Sequence, residues 1–341
     1  MTREVHIQQD TKPEESKLTN SLRVQVAKLF ATTLFGLVLC SFGPFAIFAP
    51  AAFCFAHLNS DHAKAVGTQA VAFLIGYVAF GASFFVDGTG LMGVIAAIIG
   101  GLISLFIRKK FSPQFVVLNV GSLIVGAGAI ILGVYVLSIN GSLYDAVLTH
   151  TNNFIEQLKN NKELSQALSL GGEQAIVLKS LISSPEKIAT EIVSWAPAVF
   201  ISGVFLSTWA SLYYVLRNSF SWRKNVEYPY GLVHFTFFKL PFSYVYAVIL
   251  AICLVLLGDY VGKYASIVGM NILYILGTLY FFQGFGVCYD FFVIKKIRGF
   301  FRSFSLMIIL VFAWRAVVFL GLLDVWFNFR NYFLKKNEGD K

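Results

Sequence analysis

Asn271, Gln283, Asp290, Arg315 and Asp324 each place a polar or ionisable group inside a long apolar run near the C-terminus. Such a group in hydrocarbon costs several kcal/mol unless it meets a partner or a wet path. Each is therefore a candidate lining for a solute or proton path, with interhelical pairing as the competing role. Gln283 and Asp290 are seven residues apart and share a helical face, and Gly284 and Gly286 leave room for a ligand or another backbone. Arg315 and Asp324 are nine residues apart, which puts them on opposite faces at about 100° per residue, so each needs a partner elsewhere. Asp324, Asn328 and Asn331 share one face.

Other constellations are weaker. His57, Asp61 and His62 in a short loop could ligate a metal or pass protons, but a solvated loop between spans is the better explanation. Gly88, Gly90 and Gly93 match GxGxxG, yet they open an apolar run with no βαβ setting, so no dinucleotide site is expected. No HExxH, GxSxG or paired-carboxylate spacing occurs, and neither an enzyme nor a resident cofactor or metal is expected. Cys40, Cys54, Cys253 and Cys288 all lie in apolar segments, without a CxxC or a disulfide framework.

The elements that must position these residues follow from composition. The chain has 341 residues, 57% hydrophobic and 13% charged, with a mean hydropathy of +0.71. Soluble domains average about 25% charged residues. Apolar runs of about 20 residues cross a hydrocarbon core, and continuous blocks rather than alternating ones exclude a membrane barrel. The expected fold is all-α, a polytopic transmembrane helix bundle of eight or nine spans. These cover about 26–42, 44–58, 66–86, 91–107, 115–139, 195–217, 242–257, 267–294 and 306–327. The piece at 44–58 is short enough to be re-entrant. Glycines such as Gly93, Gly100, Gly101 and Gly126 favour close helix packing.

Five regions result: a polar cytoplasmic tail at 1–22, an N-terminal transmembrane bundle at 23–139, and an amphipathic helical extracytoplasmic insertion at 140–191. A C-terminal bundle at 192–333 and a polar tail at 334–341 complete the chain. Within the insertion, Val147, Leu148, Phe154, Ile155 and Leu158 recur at helical spacing, as do Ile176, Leu178, Leu181 and Ile182. The net charge of +9 fits topology signals and lipid headgroups rather than nucleic acid. Lys64, residues 108–110, the 217–239 loop and the 295–302 loop share the N-terminal side, which the positive-inside rule makes cytoplasmic. The nine-span count then sends Lys335 and Lys336 outside.

The runs FFKLPFSYVYAVIL, NILYILGTLYFFQGFGV and GLLDVWFNFR resemble the YybS-like bacterial membrane proteins, a family of unknown function. The resemblance implies a multi-pass protein of the bacterial inner membrane and brings no activity with it. The family commonly has Asp where this chain has Asn328. The layout is also remotely similar to the substrate-binding subunits of energy-coupling-factor transporters. Two functions follow: a small-solute binding or transport component, or a scaffold that docks a protein partner at 140–191 or 217–239. Membrane lipid is the partner common to both.

Overall fold

The computed structural model describes residues 12–86, 88–138, 142–160, 182–297 and 299–330. Every regular element among them is helical. The chain opens with α1 (Lys12–Ser41), a 3-10 segment (Gly43–Phe48), α2 (Ala49–Leu58), α3 (His62–Phe80), α4 (Ser83–Val86) and α5 (Thr89–Arg108). Next come α6 (Pro113–Ser138), α7 (Leu143–Asn160), α8 (Pro185–Arg217), a 3-10 turn (Ser219–Ser221) and α9 (Leu232–Thr236). The last are α10 (Ser243–Leu256), α11 (Gly258–Val261), α12 (Lys263–Ile294), α13 (Gly299–Phe312) and α14 (Trp314–Phe327).

Among the described residues, six helices are long and apolar enough to cross a membrane, and α13 with α14 makes a seventh if that bent pair is one span. The chain is thus an all-α, multi-pass membrane protein. Eight or nine spans are reached only by adding the two shorter apolar pieces, Gly43–Leu58 and Ser243–Leu256. The backbone divides into two compact units, residues 1–120 with 207–232 and residues 121–206 with 233–341.

In the first unit α2 is an enclosed helix, with nine of its ten residues buried. Two glycines let its neighbours close on it. A methyl group on Gly36 of α1 would meet the Phe53 ring at 2.9 Å, and one on Gly100 of α5 would strike the Pro50 carbonyl and come 2.8 Å from the Cys54 nitrogen. Leu29 and Thr32 of α1 line one cavity together with Leu58 and Asn59, while Gly36 meets Phe53, so α2 runs antiparallel to α1. The loop after α8 is tied down. Trp222 is fully buried and its Nε1–H donates to the Val215 carbonyl at 3.0 Å. The Tyr228 hydroxyl donates to the Phe111 carbonyl at 2.7 Å, and burial pushes this phenol well above its ordinary range. Two of the aromatic residues that suggested a docking surface are thus spent inside the unit, while Arg223 and Lys224 stay exposed.

In the second unit α7 starts with a capping box. The Ser142 hydroxyl accepts the Asp145 N–H at 3.1 Å, and the Asp145 carboxylate accepts the Ser142 N–H at 3.1 Å. These bonds hold the exposed Asp145 carboxyl below its ordinary range. Residues 161–181, which carry Ile176, Leu178 and Leu181, lie outside the described residues.

Helices α12 and α14 run in the same direction. Gly277 faces Val318, Tyr280 faces Gly321, and Gln283 meets Asp324 in one register. A methyl group on Gly284 or Gly321 would collide with the backbone of the opposite helix. The segment expected as one straight span over 306–327 is bent. The chain breaks at Ala313 with a bend of 97° between α13 and α14. The break takes Arg315 from mid-span to the tip of that bend, where an ionisable side chain is less costly than in the middle of an apolar helix. Arg330 then reaches Asp290, near the end from which Lys295 and Lys296 leave α12. Arg330 therefore lies at the end of α12 where Lys295 follows, whereas one straight span over 306–327 would have carried it to the other end. Lys335 and Lys336 themselves lie outside the described residues.

Candidate functional site

Of the polar residues in the last spans, Gln283, Asp290 and Asp324 come together, and a fourth residue completes them. Gln283 is fully buried; its Oε1 accepts the Leu240 N–H at 3.0 Å and its Nε2 donates to Asp324 Oδ2 at 3.1 Å. Arg330 lies in the same apolar-aromatic run that ends the family signature, yet helical spacing alone did not select it. Its Nη2 donates to the Gln283 carbonyl at 2.9 Å, and its Nε sits 3.6 Å from Asp290 and 4.0 Å from Asp324. Gly286 provides the space, since a methyl group there would overlap the guanidinium and the Thr236 carbonyl.

The turn that brings Arg330 back depends on Asn328. This residue takes φ +45° just after α14, and its N–H closes onto the Asp324 carbonyl at 3.0 Å. Asparagine tolerates that left-handed backbone better than most residues. Two carboxylates thus face one guanidinium. Asp324 Oδ1 and Arg330 Nε are buried without a hydrogen-bond partner, whereas the Asp290 side chain keeps 20% exposure. Chemically the network clamps α12, α14 and the 238–241 loop to one another, and main chain from Gly284 and Gly321 fills the interior at its level.

Asn271 serves a different purpose. Pro197 lies inside α8 and has no N–H to give the helical ladder. The Asn271 carboxamide inserts next to it: Oδ1 accepts the Ala198 N–H at 2.8 Å and Nδ2 donates to the Ser194 carbonyl at 2.7 Å. Those are the two groups that an unbroken helix would join directly. Arg315 joins none of this. It is exposed, with its guanidinium 5.3 Å from the Trp314 ring centroid.

The first unit contains a polar cavity of about 990 Å³. Its walls come from α1, the end of α2, the loop after it, the end of α5 and the 221–225 turn, and include Lys28, Asn59, Asp61, Lys64, Arg108 and Asn225. Arg108 holds the rim together: Nη2 donates to the His57 carbonyl at 2.7 Å and to the Ser60 carbonyl at 2.9 Å, satisfying acceptors at the C-terminus of α2. Behind it His57 and His62 approach at 3.1 Å between their Nδ1 atoms, and Gln69 lies 3.2 Å from His57 Nε2. With the Gln69 amide donating, the His57 proton sits on Nδ1 and is given to His62. Asp61 turns away to Lys64 at 3.3 Å, so the His, Asp and His of the loop do not converge. Sequence spacing could not reveal this cavity, because its walls come from stretches far apart in the chain.

A family model described as "Predicted membrane protein (DUF2232)" matches residues 29–325, and the chain belongs to that family. No curated protein and no solved structure matches. The likeness in layout to energy-coupling-factor subunits therefore has no support.

Proposed function

We propose that this member of the DUF2232 family is a small-solute binding or transport component of a bacterial inner membrane, with a cytoplasmic N-terminus and no catalytic role. The observation that carries this reading is the cavity of about 990 Å³ in the first unit, whose walls combine charged, amide and apolar groups. Such a mixture, concave and of this size, is what small-molecule sites use. The polar residues of the last helices support the fold instead, since their hydrogen bonds go to one another and to main chain.

The test is the melting temperature of the purified full chain in mild detergent, measured against a panel of small anions, cations and neutral polar solutes. A ligand at about 100 times its Kd should stabilise the fold by about 2.7 kcal/mol. Asn225→Trp, which puts a bulky ring on the cavity wall, should abolish the response. If no solute raises the melting temperature, or if the blocked variant responds equally, the reading is wrong.

A second reading, a non-transporting scaffold, is favoured by the internal use of Gln283, Asp324 and Asn271. It requires a stoichiometric partner in mild detergent. Recovery as a lone monomer would count against it.

A further inference from the structure

We infer that the cavity of the first unit selects a phosphate-bearing anion attached to an apolar or organic body. The inference rests on reading that cavity as the solute site. Three cationic side chains line it, Lys28, Lys64 and Arg108, against a single acid, Asp61. Asp61 is already committed to Lys64 at 3.3 Å, with 79% of its side chain exposed. The walls therefore carry an excess of positive charge that the described residues do not neutralise.

The donors facing the cavity point the same way. Arg108 spends Nη2 on two carbonyls and keeps its positive charge on the cavity wall. Asn225 Nδ2 donates to Asn59 Oδ1 at 3.2 Å, which leaves the Asn59 amide hydrogens for a ligand. With Lys64 paired to Asp61, a carboxylate would balance only one of the two remaining cations, Lys28 and Arg108. A phosphate ester offers more acceptor oxygens and up to two negative charges, and both guanidinium and ammonium groups recognise it. Val26, Ala31 and Phe55 add apolar surface to the lining, suited to the body that carries the phosphate.

Two sources share this chemistry: the headgroup of an anionic phospholipid and a soluble organic phosphate. The experiment measures binding to the purified full chain in mild detergent, using glycerol 3-phosphate in one arm and phosphatidylglycerol mixed micelles in another. Sodium acetate and glycerol are the controls. A response in either phosphate arm that exceeds both controls supports the inference, and the arm that responds identifies the source. Lys28→Gln and Lys64→Gln leave the Arg108 cap of α2 intact, and each should weaken binding by about tenfold or more, as for loss of one charge-assisted bond. Raising salt should weaken binding further.

Equal responses to acetate or glycerol would overturn the inference, as would unchanged affinity in both lysine variants. If a neutral or cationic solute binds instead, and Asn225→Trp blocks it, the phosphate class is wrong while the solute site stands. If nothing binds, both readings fall.

Discussion

Arg330→Met provides a quantitative test of the clamp between α12 and α14. The guanidinium Nε lies 3.6 Å from Asp290 and 4.0 Å from Asp324, with Arg330 and Asp324 both buried. At an effective dielectric near 20, each attraction is roughly 4 kcal/mol. Desolvation offsets much of that sum, and removing one partner of a buried pair costs about 3–5 kcal/mol. We therefore expect Arg330→Met to destabilise by about 3–5 kcal/mol. The assay is unfolding in mixed micelles of rising dodecyl sulfate fraction, followed by helical circular dichroism. Adding Asp324→Asn to Arg330→Met removes the stranded carboxylate, keeps the oxygen that Gln283 donates to, and should restore more than half of the loss. Asp290 needs no second rescue, since its side chain reaches solvent. A loss below about 1 kcal/mol for Arg330→Met, or a double variant less stable than the single one, would refute the charge clamp.

Gly321→Val should cost at least the ~1–3 kcal/mol of an overpacked core, because its side chain would enter the Tyr280 carbonyl, whereas Gly277→Ala, with only Val318 at 3.9 Å, should be nearly neutral in the same assay. Asn271→Leu strands the Ser194 carbonyl and the Ala198 N–H, at about 1–3 kcal/mol for each unsatisfied group. Pro197→Ala in that background lets the helical bond reform and should recover stability; no recovery would mean that Asn271 does not bridge the proline break. Tyr228 has a phenol pKa raised on folding, so its contribution is complete below the ordinary value of about 10 and is lost as pH rises through the folded value. Melting temperatures between pH 8 and 11 should fall more steeply for the native chain than for Tyr228→Phe, and parallel curves would contradict this. In a cysteine-free background, Lys296→Cys and a cysteine appended after Lys341 should be labelled from one side of the membrane and Ser169→Cys from the other; labelling of the first two from opposite sides would contradict the return of α14 along α12.

The helices that long apolar runs announce were legible in the sequence. Runs at 91–107 and 115–139 match α5 at Thr89–Arg108 and α6 at Pro113–Ser138 because Arg108, Lys109 and Lys110 mark a sharp change from hydrocarbon to water. The break at Ala313 was not legible, since no proline or glycine interrupts residues 306–320. Arg330 was missed for a related reason. It lies past the end of α14 at Phe327, and only the left-handed turn at Asn328 brings it back to Asp290. Pro197 was a usable signal: a proline inside an apolar helix disrupts the helical ladder around it, and a lone Asn in another apolar helix can pair the groups left over.

The cost of polar groups in hydrocarbon is the reason we place the proposed site in the first unit rather than among the polar residues of the spans. Inside a helix bundle an unpaired amide or charge has no water to fall back on, so Gln283, Asp324 and Asn271 are held by neighbouring groups as the fold closes. Groups committed in that way can leave their partners for a solute only if the clamp itself opens. At the ends of the apolar helices water can satisfy Lys28, Lys64 and Asn225 while the cavity is empty, so these side chains can exchange water for a ligand without loss of the fold. Availability, rather than polarity alone, is what distinguishes a binding group from a structural one here, and it favours the cavity of the first unit.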